Sequence, residues 1–177
     1  MDFYHFVRGA TVAYFETAQR LQTEQRIRFQ TPLVGPWDSI TILEEDVDLA
    51  AAQAIIAELN SPSNSPTNAE DRPSDSTTAT ATKFGTQRIR RSEHERYEAY
   101  ALITTAITPN EQLFAELDTL AGYTGSSMVD GIFDILLLLG GATPEDLQTR
   151  LAALRTTIRG RARAEVCYQP PLPDEYQ

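Results

Sequence analysis

The sequence of 177 residues contains very little cysteine, histidine or lysine, and it has no long apolar run. Cys167 is the only cysteine, which excludes an intramolecular disulfide framework, and no Cys/His cluster suggests a structural zinc site. The longest apolar stretch, around residues 135–139, is far too short to cross a bilayer. No signal-peptide pattern opens the chain. These absences predict a soluble, reduced protein that is not secreted by a signal peptide.

Bases are also scarce relative to acids. The chain has 25 acidic and 15 basic residues, for a net charge of −10, and Lys83 is its only lysine. With 41% hydrophobic residues it can bury a core, which excludes wholesale disorder. The composition favours protein partners over nucleic acid. The overall negative charge repels the phosphate backbone of a nucleic acid, and arginine is enriched in protein interfaces.

A low-complexity segment divides the sequence. Residues 61–82 contain three prolines, no aromatic residue and almost nothing that a core could bury. This composition predicts a linker loop that is disordered or ordered by a partner. It separates an N-terminal part, residues 1–60, from a C-terminal part, residues 83–177. The pattern is compatible with one domain or with two.

The N-terminal part changes from helical spacing to alternation and back. Asp2 is a suitable N-cap, and apolar residues follow it at spacings of three and four. Two short alternating runs around a Pro- and Gly-rich connection predict a β-hairpin. The four predicted elements are a helix over residues 3–21, strands over 25–31 and 39–43, and a helix over 49–59.

The C-terminal part carries more helix signals. Residues 97–107 satisfy both helix and strand patterns. Thr108-Pro109 and Thr143-Pro144 each place a threonine N-cap before a proline, a pattern that predicts the start of a helix. A further helix is predicted from Ser126 or Ser127 to Leu139. The alternation in residues 163–168 predicts a final strand, which would pair with the hairpin or with 97–107. Together the patterns predict an α+β fold dominated by helices, without a convincing internal repeat.

Two arginine groups and a proline-rich tail are the predicted interaction residues. No acid lies between Arg150 and Arg163, so this stretch is strongly basic in an acidic chain. Part of that charge is explained by the favourable position of cations at a helix C-terminus. A proline-rich tail can form a polyproline II helix that binds aromatic grooves. The predicted residues are Arg88, Arg90, Arg91, Arg155, Arg159, Arg161, Arg163, Pro170, Pro171, Leu172 and Pro173.

Carboxylates offer a different chemistry. Asp130 and Asp134 are four residues apart on a predicted helix and would share a face. Together with the acidic cluster at residues 44–48 they could hold a divalent metal. The ordinary explanation is that the acidic cluster is stabilised by the positive end of the dipole of the helix that follows it, and that Asp130 and Asp134 face water. His5 and His94 lack an accompanying nucleophile motif. We therefore predict no catalytic residue, no metal site and no cofactor.

The interpretation that these features favour is a non-catalytic subunit of a larger homo- or hetero-assembly, not an enzyme. A virion component such as a bacteriophage neck or tail protein is a concrete example, by analogy of size and architecture. Such a protein would be cytoplasmic or part of an assembled particle, without contact to membranes or nucleic acid. Two alternatives stay open. One is a small divalent-metal-dependent hydrolase or transferase, and the other is a regulatory adaptor that binds partners through the arginine-rich and proline-rich segments.

Overall fold

The structure is a computed structural model that describes residues 2–44, 47–61, 75–84, 97–106 and 111–171. It divides into two compact units, Met1–Ala81 and Thr82–Gln177. In the described chain each unit has the same order of elements, βαββαβ. The two halves therefore repeat one topology, although their sequences show no convincing repeat.

The first unit is an antiparallel sheet with the strand order β2-β3-β1-β4. Helix α1 connects β1 to β2, and β3 lies between these two strands, which is the split β-α-β arrangement. Phe3 and Val7 of β1 are buried in one cluster with Leu21 of α1 and Leu59 of α2. The elements are β1 (Phe3–Arg8), α1 (Val12–Thr23), β2 (Ile27–Pro32), β3 (Ser39–Leu43), α2 (Leu49–Asn60) and β4 (Asp75–Phe84).

The second unit repeats this arrangement with the strand order β6-β7-β5-β8, so β8 lies at the end of its sheet. One face of the sheet is covered by helices: Ala101 of β5 and Leu137 of β7 are buried in one cluster with Leu113 of α3 and Leu151 of α4. The elements are β5 (Tyr97–Thr105), α3 (Glu111–Leu117), β6 (Tyr123–Asp130), β7 (Ile135–Gly141), α4 (Pro144–Ile158) and β8 (Ala162–Gln169).

The first part of the predicted N-terminal helix is a strand. Residues of β1 are buried on both faces, so apolar residues occupy nearly every position and a helical spacing can be read from them by chance. The helix begins only at Val12. It follows Gly9, which has a φ of 63°, and Thr11, whose hydroxyl accepts a hydrogen bond from the Tyr14 amide at 3.2 Å.

The helix predicted up to Leu139 is also wrong, because residues 123–130 and 135–141 form β6 and β7. Both faces of β7 are largely buried, and a continuous apolar run hides the alternation that marks a strand.

The ambiguous residues 97–107 contain β5, and β8 pairs with β5 instead of the N-terminal hairpin. The fold is α+β but dominated by strands, so the prediction of a helix-dominated fold is wrong.

The last part of the predicted linker is strand β4. Its residues Asp75–Thr80 pair with β1, from Arg8↔Asp75 to Phe3↔Thr80. Threonine is β-branched and favours extended backbone, but its polarity gives the segment a low-complexity composition that suggests a loop. Residues 62–74, the rest of the predicted linker, lie outside the described chain.

Other predictions are confirmed. The hairpin exists as β2 and β3, and α2 covers the predicted residues 49–59. Helix α4 begins as predicted at Pro144, and the Thr143 hydroxyl caps it by accepting a hydrogen bond from the Asp146 amide at 3.1 Å. Among the described residues, no helix combines the length and apolar character that a membrane span requires.

Candidate functional site

An open groove of about 640 Å³ lies between α4 and β8 of the second unit. Three arginines stand along it, Arg155 and Arg159 at the end of α4 and Arg163 on β8. Its apolar floor includes Leu154, Ile158 and Val166. We call these six residues and the space between them the arginine groove.

The apolar floor follows from helical spacing on α4 and alternation on β8. Leu154 and Ile158 are one helical turn apart and buried. Ala164 and Val166 pair with Ile103 and Ala101 of β5 and face the helices with them. Small side chains on β8 therefore leave room beside α4, and a groove remains there.

The five arginines between residues 150 and 163 fall into two classes. Arg150 donates to both carboxylate oxygens of Asp146, at 3.1 and 2.9 Å, and to the Gly140 carbonyl oxygen. Arg161 forms an ion pair with Glu116. The other three are exposed, and no carboxylate among the described residues pairs with them. These three are the arginines of the groove.

The two arginines on α4 also have a structural role. Arg155 lies in the last turn and Arg159 is the C-cap residue, where positive charge is stabilised by the helix dipole. Arg155 and Arg159 are four residues apart, so they project from the same side of the helix, with Ile158 beside them. The dipole explains their presence on α4, but it leaves their guanidinium groups available to an anion.

Tyr168 lies at the far end of the groove. Its hydroxyl oxygen is 3.1 Å from Nε2 of Gln148, which donates a hydrogen bond to it. From Arg163 to Tyr168 the strand rises about 17 Å, at the usual rise per residue. The groove thus has arginines at one end and a phenol at the other.

A second pocket of about 540 Å³ adjoins the groove. Its lining includes Thr104 and Thr105 of β5, Gly160 and Arg161, and it shares Arg163 with the arginine groove. We call it the threonine pocket. Its lining combines the two threonines and the two arginines with Ala106 and Ala162.

An apolar floor beside exposed arginines suits one kind of ligand. Arginine binds carboxylate, sulfonate and phosphate groups through two parallel hydrogen bonds, while the floor can cover an apolar body. The same cations would stabilise negative charge that develops on a bound molecule during a reaction.

The predicted interaction residues are brought together only in part. Arg155, Arg159 and Arg163 share the groove, and Arg161 lies in the adjoining pocket. Pro170 and Pro171 follow β8 and are exposed. Arg88, Arg90, Arg91, Leu172 and Pro173 lie outside the described residues. Ile158, Val166 and Tyr168 were missed, although the alternation Ala164, Val166, Tyr168 already marked one face of a strand.

The described carboxylates do not form the metal site that the alternative hydrolase or transferase hypothesis requires. Asp134 follows the β6–β7 turn, and its Oδ2 accepts hydrogen bonds from the Thr105 amide at 2.6 Å and the Thr105 hydroxyl at 2.9 Å. Asp130 is exposed at the end of β6, and Asp48 caps α2. Within the described ranges, which omit Glu45 and Asp46, no three His, Cys, Asp or Glu side chains are grouped to hold a metal ion.

A buried polar cluster lies between the sheet and helices of the first unit. His5 is completely buried; its Nδ1 is 3.2 Å from the Thr78 hydroxyl and its Nε2 is 3.3 Å from Oδ1 of Asn60. Burial lowers the pKa of His5 to about 4, so the imidazole is neutral at pH 7. Nearby, the Tyr14 and Thr41 hydroxyls are 2.8 Å apart. Because its ring nitrogens are satisfied inside the core, we interpret His5 as a structural residue.

The solved structures that are similar to this chain include three with low sequence identity. A major regulator of staphylococcal pathogenesis matches with a TM-score of 0.52 and 12% identity over 98% of this chain and 100% of that one. A protein assigned as a monooxygenase from Fusobacterium nucleatum matches with a TM-score of 0.50 and 11% identity over 97% and 91%. An anthrone oxidase-like protein matches with a TM-score of 0.45 and 7% identity over 96% and 90%. No protein-family model and no curated protein matches the chain.

These likenesses concern the fold, which spans nearly the whole chain in the first two cases. The first two likenesses overturn the prediction of a non-catalytic assembly subunit with a bacteriophage neck or tail protein as its example. The expectation that the chain is not an enzyme is wrong for the same reason, since proteins of this fold include one assigned as a monooxygenase. A missing catalytic motif is weak evidence against catalysis, because activity depends on the geometry of a site that distant residues can form.

Proposed function

We propose that this chain is an enzyme that oxidises a small organic anion, and that the substrate binds in the arginine groove. The observation that carries the proposal is the groove itself. Three exposed arginines without a described counter-carboxylate stand beside an apolar floor formed by Leu154, Ile158 and Val166. The apolar residues belong to the core of the second unit, and the helix dipole accounts for two of the arginines, but neither role occupies the three guanidinium groups.

The dimensions of the groove fit a small molecule. Ligand sites usually measure about 300–1,000 Å³ and combine an apolar lining with a few polar groups that fix orientation. A volume of about 640 Å³ falls within that range. The expected substrate therefore has an aromatic or aliphatic body and a carboxylate, phenolate, sulfonate or phosphate group.

The oxidative part of the proposal is supported by the fold of the monooxygenase-assigned protein, which covers 97% of this chain. The groove adds a chemical reason, because guanidinium groups favour the anionic, electron-rich form of an oxygen-bearing substrate. Tyr168 would contact the opposite end of the substrate and orient it through its hydroxyl.

Binding is tested with 8-anilino-1-naphthalenesulfonate, a fluorescent aromatic anion. We expect its Kd to rise by about tenfold or more in the Arg155→Gln/Arg159→Gln double variant, because each lost guanidinium removes a charge-assisted hydrogen bond. The matched control is Ala50→Glu/Gln53→Glu, which makes the same change in net charge at exposed positions of α2. Equal Kd values in the double variant and the wild type would refute binding in the groove.

Activity is tested by oxygen uptake and product mass with a panel of aromatic and aliphatic acids, with and without reduced nicotinamide and flavin. We expect oxygen consumption with at least one acid that displaces the fluorescent anion, and a loss of about tenfold or more in kcat/KM in the double variant. If acids bind but none is converted, the enzymatic part of the proposal is wrong.

A regulator is the second candidate, because the staphylococcal regulator shares the fold over its entire length. The ligand of the groove would then be an effector. Sedimentation velocity with and without the bound acid distinguishes this case, since an effector must change self-association or partner binding. Cytoplasmic location and self-association, both expected from the sequence, remain predictions.

A further inference from the structure

The open edge of β8 is a surface that the proposed function does not use. We infer that two copies of the chain associate through this edge, with their β8 strands antiparallel and Ala164 of one copy opposite Ala164 of the other. The two strands would join the sheets of the two second units into one sheet. The partner that this surface fits is therefore a second copy of the chain.

The strand β8 directs a row of backbone groups away from its neighbour. Among the described strands it pairs with β5 alone, at the end of its sheet. The Ala106 amide donates to the Arg161 carbonyl oxygen at 3.0 Å, directly before the first residue pair of β5 and β8. Because backbone groups alternate in direction along an antiparallel strand, every second residue from Arg161 onwards directs its groups to β5. Ala162, Ala164 and Val166 therefore direct theirs to the open edge, where another strand can pair with them.

Twofold symmetry limits the ways in which β8 can pair with its own copy. An axis perpendicular to the sheet keeps the helices of both copies on the same side, so each residue lies opposite one from the same face of the strand. Ala162, Ala164 and Val166 are on the face that packs against the helices, so Arg163 and Glu165 are on the other face. The axis therefore passes beside a single residue of β8, and the charges on the second face decide which residue this is.

Charge complementarity selects Ala164 as the centre of the pairing. In this register, Arg163 of each copy lies opposite Glu165 of the partner subunit, and opposite charges that face each other across two strands are stabilising. A pairing centred on Arg163 or on Glu165 would place two like charges directly opposite each other, which is destabilising. A pairing centred on Val166 would place Arg163 opposite Gln169. Of these registers, only the one centred on Ala164 places each of these charges opposite its complement.

The backbone geometry agrees with this register. Ala164 lies opposite its own copy and Ala162 lies opposite Val166, and all of these residues direct their backbone groups to the edge and can exchange hydrogen bonds. Arg163 and Glu165 direct theirs to β5, so across the interface they form a non-hydrogen-bonded pair, whose Cα atoms are only about 4.5 Å apart. Their side chains are then close enough for charge-assisted hydrogen bonds.

Charge reversal tests the pairing, with the dimer Kd of the full chain measured by sedimentation equilibrium. We expect the wild type to dimerise, and Arg163→Glu and Glu165→Arg each to raise the Kd by about tenfold or more, because like charges then face each other. An equimolar mixture of the two variants restores opposite charges at every pair and should form a heterodimer with an affinity near that of the wild type. The control Ala50→Glu/Gln53→Glu makes the same change in net charge as Arg163→Glu, at exposed positions of α2.

Ala164→Pro tests the backbone contribution. It removes an amide hydrogen that is directed away from β5, so we expect the dimer to be lost while the far-UV circular dichroism of the chain is retained. A monomeric wild type, single charge variants that dimerise as tightly as the wild type, or a mixture that does not associate would each overturn the inference. The proposed function is decided separately, by the binding of 8-anilino-1-naphthalenesulfonate to the Arg155→Gln/Arg159→Gln variant.

Discussion

Arg161 and Glu116 form a two-contact ion pair that joins the start of β8 to α3. Nη1 of Arg161 is 3.2 Å from Oε1 of Glu116, and Nη2 is 2.5 Å from Oε2. Arg161 also donates to the Thr157 carbonyl oxygen at 2.6 Å. Arg161 is thus held by its own unit, which distinguishes it from Arg159 and Arg163 on either side of it in sequence.

Replacing Glu116 by glutamine tests how much this ion pair stabilises the protein at different pH values. The hydrogen bonds from Arg161 lower the pKa of Glu116, so the pair contributes stability above the ordinary glutamate pKa and loses it as pH falls through the lowered pKa. We expect Glu116→Gln to lower the Tm at neutral pH, with a difference from wild type that shrinks below about pH 4. A Tm difference that is constant from neutral to acidic pH would contradict this account.

The burial of His5 predicts a second pH dependence of the unfolding free energy, in a higher pH range than that of Glu116. Burial lowers its pKa to about 4 in the folded protein, against an ordinary value of 6.5, so the unfolded chain binds the proton more tightly. Stability is therefore complete above pH 6.5 and falls by up to about 3 kcal/mol as pH decreases towards 4. Urea unfolding of wild type and His5→Gln across this range should show a shallower pH slope in the variant. Parallel slopes would contradict the burial of a neutral imidazole.

The backbone of the second unit requires a glycine at position 122. Its φ is 76°, and a Cβ there would clash with Cδ of Arg150 and would lie 2.5 Å from the Gly140 carbonyl oxygen. We expect Gly122→Ala to destabilise the protein by about 2 kcal/mol or more, from backbone strain and from displacement of Arg150. Gly125→Ala is the matched control, since among the described residues no atom beyond its two chain neighbours lies within 4 Å of the position that its Cβ would occupy. Equal unfolding free energies for the two variants would be inconsistent with this packing.

Asp134 is predicted to stabilise the fold without binding metal. Because its carboxylate accepts two hydrogen bonds from Thr105, Asp134→Ala should cost about 1–3 kcal/mol of unfolding free energy. Asp130→Ala, at an exposed position, should change stability by less than about 0.5 kcal/mol. Mg²⁺, Mn²⁺ and Ca²⁺ should leave the Tm of the wild type unchanged, and a rise that disappears in Asp134→Ala would instead support the metal site.

Local signals in the sequence predict several elements well. Thr143-Pro144 marks the start of α4, and the alternation at residues 163–168 marks β8, because capping and side-chain periodicity are local properties. The strands β1 and β7 resemble helices in sequence because both of their faces are buried, and such strands carry no polar alternation. Strand β4 resembles a linker in sequence because pairing with β1, and not burial of apolar side chains, accounts for its order.

The candidate site was predictable only in its charges. The arginines between residues 150 and 163 stand out in an acidic sequence, but all five look equivalent there. Their difference is tertiary: Arg150 pairs with Asp146 and Arg161 with Glu116, which leaves the remaining three for the groove. The apolar floor depends on the packing of α4 beside β8, a tertiary contact that no local pattern in either element specifies.

Backbone amide chemical shifts report residue by residue whether an organic anion binds between α4 and β8. In a titration of nitrogen-15-labelled protein with decanedioate, we predict saturable chemical-shift changes for the amides of Arg155–Arg159 and Arg163–Val166. The amides of the first unit, such as those of α2, should not shift. These shifts should be strongly reduced in Arg155→Gln/Arg159→Gln. Absence of shifts on α4 and β8, or equal shifts in that variant, would contradict the account.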